Sequence, residues 1–148
     1  MTTLREATGA DVPQLQTMFE TFVASTQYAR YVGHDPAYST GLIERLIANR
    51  DGVIFAAVRN ERVIGMLGLI LFQHPMSGER VASEVFWWLD PAQRGYGGFL
   101  LRRGEKWARV HGARRLSLMA PADKPRVGEI YTALGYEQVE VTYQKDLV

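Results

Sequence analysis

The sequence predicts an α+β fold, in which a mixed, mostly antiparallel sheet is flanked by helices. Residues 53–58, 63–72 and 81–89 are rich in β-branched and aromatic residues and are joined by polar turns, which predicts a three-stranded antiparallel meander. An amphipathic helical pattern begins soon after the third strand. Because this helix separates strand 81–89 from a short apolar strand at 115–119, those two strands should be parallel neighbours.

Length and composition describe an ordinary globular protein. The chain has 148 residues, which predicts a single domain over residues 1–148 with a real hydrophobic core. Its net charge of +1 gives no global reason to bind nucleic acid or an anionic membrane, and no apolar run is long enough to span a bilayer. We therefore expect a cytoplasmic protein. With no cysteine and three histidines that lack metal-ligand spacing, the sequence predicts neither a disulfide nor a metal site.

The most informative stretch is the glycine-rich turn between the third strand and its helix. Gly95, Gly97 and Gly98 fall within four positions and let backbone N–H groups crowd together without a Cβ in the way. Such a turn at a helix N-terminus can bind phosphate through unpaired N–H donors and the helix dipole. The basic residues around it are Arg94, Arg102, Arg103, Lys106, Arg109, Arg114 and Arg115. The pattern predicts a site for a pyrophosphate-bearing cofactor; the alternative is a tight turn before a basic, solvated helix.

Two common nucleotide motifs fit this turn poorly. A mononucleotide P-loop requires a lysine after the glycines, and a GxGxxG fingerprint requires glycine where Leu100 stands. The segment RGYGGFLL instead resembles the acetyl-CoA-binding loop of the GNAT superfamily of N-acetyltransferases, whose signature is Q/R-x-x-G-x-G/A.

The resemblance allows two registers. In one, Arg94 leads the motif and Phe99 occupies the last small position. In the other, Gly95 and Gly97 are the small positions, Ala92 replaces the leading Gln or Arg, and two leucines follow where the family has its helix leucines. We prefer the second register, because the glycine spacing governs how closely the backbone can approach the cofactor.

Two other segments resemble the same family. The opening LREATGADVPQL is similar to its first strand and helix, and residues 130–136, IYTALGY, are similar to its LYxxLGF motif at the end of the last helix. Pro125 stands where many members have an asparagine, so that contact to the cofactor is missing or differently supplied. The resemblance implies a GNAT-like three-layer fold of six to seven strands and about four helices, with a central parallel strand pair splayed around the cofactor.

The residues before the meander predict one more strand and two helices. A short strand is expected at 3–7, and Asp11 with Pro13 fits the start of a helix that continues to about Ser25. Asp35 precedes a proline and is expected to cap a second helix.

Between these helices, residues 26–38 form a loop-like segment that carries Tyr28, Tyr31 and His34. In the family this connection lines one side of the acceptor site, which makes the three residues candidates for substrate binding by stacking or hydrogen bonding. The alternative is that they pack the helix pair against the sheet.

The resemblance implies an N-acetyltransferase that moves an acetyl group from acetyl-CoA to a primary amine by direct attack, in a ternary complex and without a covalent enzyme intermediate. The cofactor-binding residues that it implies are Leu89, Arg94, Gly95, Tyr96, Gly97 and Gly98. In the family, main-chain groups near the end of the strand before the glycine turn hold the pantetheine arm like an added strand and polarise the thioester carbonyl; in this sequence we assign that role to the main chain of Leu89. The acceptor would be a small-molecule or peptide amine. A GNAT-like module that binds an acyl-CoA as a sensor without turnover is the alternative, because fold does not fix activity.

Acetyl transfer to an amine requires proton transfers at both ends. The acceptor must lose a proton before it attacks, because an alkyl ammonium has a pKa of roughly 10.4 in water. Glu84, in the middle of the strand before the glycine turn, is the best-placed base; the alternatives are a water chain, or an edge or surface carboxylate on a half-exposed strand. The resemblance assigns protonation of the departing thiolate to Tyr131, and a phenol is a suitable acid. The alternative for Tyr131 is packing beneath the cofactor.

The end of the chain predicts a helix at about 126–134, closed by Gly135, and then a β-rich segment at 136–147. That segment is short for the two-strand hairpin with which the family usually ends. A single bent strand, or pairing with another subunit to give a homodimer, is therefore expected.

Overall fold

The computed structural model describes the backbone of residues 1–148 and every side chain except that of Arg94. Its strands are β1 (Thr2–Glu6), β2 (Gly52–Arg59), β3 (Arg62–Gln73), β4 (Arg80–Leu89) and β5 (Leu116–Ser117), and its α-helices are α1 (Val12–Ala24), α2 (Tyr28–Tyr31), α3 (Pro36–Ala48), α4 (Gly97–Val110) and α5 (Pro125–Ala133). The chain divides into two compact units, Met1–Leu118 and Met119–Val148. Among the described residues, no helix combines the length and the apolar character needed to cross a bilayer.

The first unit contains a five-stranded sheet in the order β1-β2-β3-β4-β5. The first four strands pair antiparallel with their neighbours along the chain, and β5 pairs parallel to β4. The meander and the parallel neighbour predicted from the sequence are therefore confirmed, and the α+β class holds. The expected count of six to seven strands is slightly too high, since the described chain has five. Its five α-helices, one of them a single turn, compare with about four expected.

The strands that the sequence predicts but the structure lacks belong to the second unit. After α5 no strand is assigned, although Val139, Val141 and Tyr143 alternate with polar residues as a strand pattern requires. These three side chains are 78%, 63% and 91% exposed. An alternating pattern favours a pleated chain, but a strand forms only where a neighbouring strand takes up its N–H and C=O groups. Neither the single bent strand nor a hairpin is present in this segment.

Helices cover both faces of the sheet. α1 and α3 pack on one face over a buried cluster that includes Leu15 and Phe86, and α4 packs on the other face. Gly104 allows α4 to approach closely, because a Cβ at this position would lie 2.9 Å from the side chains of both Leu67 and Leu69. The close approach fixes the axis of α4, and with it the position of the glycines at its N-terminus.

The start of α1 differs from the expectation. Pro13 lies in its first turn, but the Asp11 side chain makes no capping bond to this helix. The carboxylate instead accepts hydrogen bonds from Arg5 at 2.8 and 3.0 Å and from the Thr8 N–H at 2.8 Å. The Arg5 hydrogen bond lowers the pKa of this carboxyl group, burial opposes the change, and the Thr8 N–H adds to it. Asp11 therefore ties β1 to the 3₁₀ turn that precedes α1.

We expect Asp11→Asn to lower the free energy of unfolding by about 1 kcal/mol at neutral pH. Because the pKa of Asp11 is lower in the folded protein, the folded state binds fewer protons, and the stabilisation is complete above the unfolded pKa of about 3.9. It is lost as the pH falls through the folded-state pKa, so the two proteins should converge in stability below about pH 4. Urea unfolding between about pH 3 and pH 7 measures the difference, and a difference that does not change with pH would contradict the role of the charge.

The second long helix is capped as predicted. Asp35 accepts hydrogen bonds from the N–H groups of Ala37 and Tyr38 at 3.0 and 3.3 Å, and α3 starts at the proline that follows Asp35. The segment before it is not a loop throughout, because residues 28–31 form the single helical turn α2.

Candidate active site

β4 and β5 separate after a very short paired region. Only two residues of β4, Ala82 and Ser83, are paired with β5. β4 then continues along β3 to Leu89, so residues 84–89 form a sheet edge that β5 does not cover. This divergence agrees with the splayed strand pair that the resemblance implies.

A β-bulge lies at the same point on the other side of β4. The register pairs Gly68 with Phe86 and the next residue of β3 with Glu84, so Val85 has no residue opposite it. An extra residue of this kind bends and twists its strand and ends regular pairing. The bulge therefore accounts for the direction in which β4 leaves β5.

The main chain of Leu89 faces the uncovered edge. The Asp90 N–H donates to the Ile64 carbonyl at 2.9 Å, which makes these two residues a hydrogen-bonded pair of the antiparallel ladder. Hydrogen bonding alternates along such a ladder, so the N–H and C=O groups of Leu89 point away from β3. Leu89 thus presents its main chain where an extended ligand could pair as an added strand.

The glycine-rich turn is more regular than the sequence suggests. Pro91–Tyr96 forms a 3₁₀ helix that is interrupted at Gln93, and α4 begins at Gly97; we refer to residues 91–98 as the glycine segment. Each N–H group in a 3₁₀ helix bonds to the carbonyl three residues earlier. Some of the N–H groups that the sequence predicts to be available to a phosphate are therefore bonded within the segment. The candidate donors for an anion are the N–H groups in the first turn of α4, at residues 97–99.

Two of the glycines border open space. A Cβ built on Gly95 or Gly98 would meet no other part of the chain within 4 Å, whereas one on Gly97 would touch two side chains of β4 at 3.5 Å. The segment therefore packs on the end of β4 through one glycine and leaves open space beside the other two. A group with several oxygen acceptors can enter that space and reach the first turn of α4.

The burial at the start of α4 is consistent with the second register of the motif. Leu100 and Leu101 are 0% and 2% exposed, whereas Phe99 is 49% exposed. The second register places Leu100 and Leu101 at the helix leucines of the family, which should be buried in the core. The Arg94 side chain, which the sequence predicts to reach a phosphate, lies outside the described side chains.

An arginine that the sequence does not single out holds the glycine segment. From the end of β2, the Arg59 guanidinium donates to Gln93 Oε1 at 2.9 Å and to the Tyr96 hydroxyl at 2.6 Å. Its Nε donates to Thr2 Oγ1 at 3.0 Å, so the same side chain also binds β1. A hydrogen bond with Thr2, together with the Arg59 charge, lowers the pKa of the Tyr96 phenol. In the sequence Arg59 belongs to a polar turn, and no motif points to it.

Glu84 lies where the two strands separate. It is the first residue of β4 beyond the paired region, and it is only 8% exposed. Its partner across the β3–β4 ladder, Leu69, belongs to the buried cluster on the α4 face. Burial excludes an exposed surface carboxylate, whereas the alternative of an edge carboxylate still describes Glu84, which lies at the point of divergence.

The three candidates for acceptor binding lie in different surroundings. His34 Nε2 is 3.0 Å from Ser39 Oγ, and the His34 ring packs against α1. The rings of Tyr28 and Phe22 are 5.5 Å apart, whereas Tyr31 is 45% exposed. Tyr28 and His34 thus contact α1 through their rings, and Tyr31 extends to the surface.

The adjacent residues Trp87 and Trp88 face opposite sides of the sheet, as strand geometry requires. Trp87 packs with the cluster under α4, and Trp88 belongs to the cluster under α1 and α3. Trp88 also lines an open cleft of about 490 Å³, together with Met18 of α1 and Pro91. This cleft therefore adjoins the α1 face of β4 and the beginning of the glycine segment.

Tyr131 lies on α5 in the second unit. Its hydroxyl donates to the Met119 carbonyl at 2.9 Å, and its ring lies 6.2 Å from that of Tyr136. To act as an acid, this hydroxyl must turn from the Met119 carbonyl toward a different acceptor.

Comparison with protein families gives a match over most of the chain. The model of the acetyltransferase (GNAT) family matches residues 15–136. A search among curated proteins found no match.

Solved structures share this fold. A transcriptional regulator from Bacillus halodurans C-125 has a TM-score of 0.82 at 20% identity, with 99% of this chain and 100% of that chain covered. AAC(6')-Iy in complex with the bisubstrate analog CoA-S-monomethyl-acetylneamine has a TM-score of 0.80 at 16% identity, with 99% of each chain covered. The aminoglycoside antibiotic 6'-N-acetyltransferase AAC(6')-IG from Acinetobacter haemolyticus has a TM-score of 0.76 at 17% identity, again with 99% of each chain covered. At these identities the structures establish the fold, and the CoA analog held by one of them agrees with the acetyl-CoA prediction.

Proposed function

Because this chain belongs to the GNAT family of acetyltransferases, we propose that it moves an acetyl group from acetyl-CoA to a primary amine of a small molecule. The amine attacks directly in a ternary complex, without a covalent enzyme intermediate. The observation that carries the proposal is the uncovered edge of β4, which leads straight into the glycine segment. Such an edge offers main-chain pairing to an extended ligand beside an anion-binding helix start.

Acetyl-CoA supplies an activated thioester, and two parts of the first unit suit its binding. The first-turn amides of α4 bind the diphosphate at the positive end of the helix dipole. The Leu89 main chain binds the pantetheine arm like an added strand, and its N–H polarises the thioester carbonyl as negative charge develops. Both contacts use main-chain groups, so Ala92 at the leading motif position and Pro125 in place of asparagine do not remove them.

Two side chains carry the proton transfers in this proposal. Glu84, enclosed where β4 leaves β5, takes a proton from the acceptor ammonium directly or through water. Tyr131 gives its hydroxyl proton to the departing thiolate, a role that rests on the match of residues 130–136 to the family motif.

Two neighbouring structures support the proposed acceptor class. AAC(6')-Iy and AAC(6')-IG are aminoglycoside N-acetyltransferases by name, which supports a small-molecule primary amine as the acceptor. The candidates for contact with this amine are still Tyr28, Tyr31 and His34.

Calorimetry with CoA and an acetyl-transfer assay on a panel of amines test this proposal. The panel contains aminoglycosides, polyamines, amino acids and peptide N-termini, and we expect CoA to bind and at least one amine to be acetylated. Glu84→Gln should lower kcat about 10²-fold with little change in the KM for acetyl-CoA, because glutamine cannot accept the proton. Glu44→Gln, which changes an exposed carboxylate of α3, serves as the control. Binding of CoA without turnover of any amine would favour the sensor, and failure to bind CoA would overturn the proposal.

A further inference from the structure

The glycine segment is held by one side chain from the end of β2, the first strand of the meander. Arg59 is half-buried, and its hydrogen bonds go to neutral oxygens of Thr2 in β1 and of Gln93 and Tyr96 in the glycine segment. Among the described residues no carboxylate lies within ion-pair distance of this guanidinium. The contacts of Arg59 therefore hold chain segments together and do not neutralise an acid.

The two contacts on the glycine segment fall on its irregular residue and on the residue just before α4. Gln93 interrupts the 3₁₀ helix with φ −125° and ψ 25°, and Tyr96 is the residue immediately before α4. Between them lies Gly95, and glycine is the residue with the greatest conformational freedom to lose on ordering. Side-chain hydrogen bonds at Gln93 and Tyr96 therefore restrain the backbone where the segment's own helical bonding is broken.

We propose that Arg59 is a positioning residue for coenzyme binding, which holds Gln93 and Tyr96 and thereby fixes the first turn of α4 in the orientation that binds the diphosphate. The choice of coenzyme A as the ligand rests on the proposed function. The planar guanidinium suits the task, because its fork can bind two acceptors at fixed angles, whereas a lysine ammonium on a flexible stem behaves as a point charge. Positioning and simple charge attraction therefore make different predictions for Arg59→Lys.

Calorimetric titration of CoA into the full chain and its variants tests the inference. We expect the dissociation constant for CoA to rise about tenfold in both Arg59→Gln and Arg59→Lys. Gln93→Ala removes one of the acceptors and should also weaken binding, and the double variant Arg59→Gln/Gln93→Ala should lose less than the two single changes together. Arg50→Gln removes a positive charge from an exposed residue at the end of α3 and should bind CoA like the native protein.

Hydrogen exchange of the ligand-free proteins gives a second readout that does not depend on CoA. Amides of residues 93–97 should exchange faster in Arg59→Gln than in the native protein, while amides of β2 and β3 keep their protection. Native-like CoA affinity in Arg59→Lys, or unchanged exchange in Arg59→Gln, would overturn the positioning role. If the native protein binds no CoA, the proposed function and the ligand named here both fail, and the exchange rates still decide whether Arg59 restrains the segment.

Discussion

We expect Tyr131→Phe to lower kcat for acetyl transfer about 10³-fold, with the dissociation constant for CoA nearly unchanged. Phenylalanine keeps the ring and removes only the hydroxyl, so the departing thiolate loses its proton donor while packing is retained. Steady-state kinetics with the best acceptor of the amine panel, together with calorimetry, measure the two quantities separately.

Tyr136→Phe is the matched control, because it removes a hydroxyl from a ring only 6.2 Å from that of Tyr131 in the same unit. Its kcat should stay within a few-fold of the native value. The Tyr131 hydroxyl also donates to the Met119 carbonyl, so its loss should cost about 1 kcal/mol of stability. Rates are therefore compared at a temperature where both variants are fully folded. A native kcat in Tyr131→Phe would remove the acid role and leave packing as its function.

The fold could be predicted where the signal lies within a single element. The β-branched and aromatic run at 81–89 corresponds to β4 (Arg80–Leu89), and the proline after Asp35 marks the start of α3. The parallel placement of β5 follows from the helix between it and β4. The pattern at 136–147 failed because alternation describes a chain that can pair, and pairing depends on a partner that local sequence does not specify.

The parts of the candidate site that sequence could not reveal depend on contacts between distant residues. Arg59 lies 34 and 37 positions from the two residues of the glycine segment that it binds. The burial of Glu84 and the bulge at Val85 depend on how β4 packs against β3, which hydrophobic periodicity does not encode. The glycine spacing can be seen in the sequence, but it does not indicate that a 3₁₀ helix containing Gly95 leads into α4 or that Gly97 packs on the end of β4.

We expect Gly68→Ala to lower the free energy of unfolding by about 2 kcal/mol, which corresponds to a fall of roughly 4–8 °C in Tm. A Cβ at Gly68 would lie 2.7 Å from Phe86 Cζ and 2.9 Å from its two Cε atoms. The Phe86 ring cannot move aside easily, because it is 0% exposed and packs edge-on against the Phe19 ring at 5.4 Å. Thermal and urea unfolding measure the loss, and Gly9→Ala, where a Cβ would meet nothing within 4 Å, should stay within about 0.5 kcal/mol of the native protein.

The same substitution tests whether packing at the bulge sets the geometry of the uncovered edge. Gly68 and Phe86 are the last regular pair before Val85 is skipped, so a displaced Phe86 ring should shift β4 where it leaves β5. The rate of acetyl transfer by Gly68→Ala should then fall by more than the loss of folded protein accounts for. Phe86→Leu removes part of the ring, so the double variant should be less destabilised than the sum of the two single changes. Additive losses of stability, with full activity in the folded protein, would show that the Gly68–Phe86 contact supports the core alone and that the bulge is fixed by other residues.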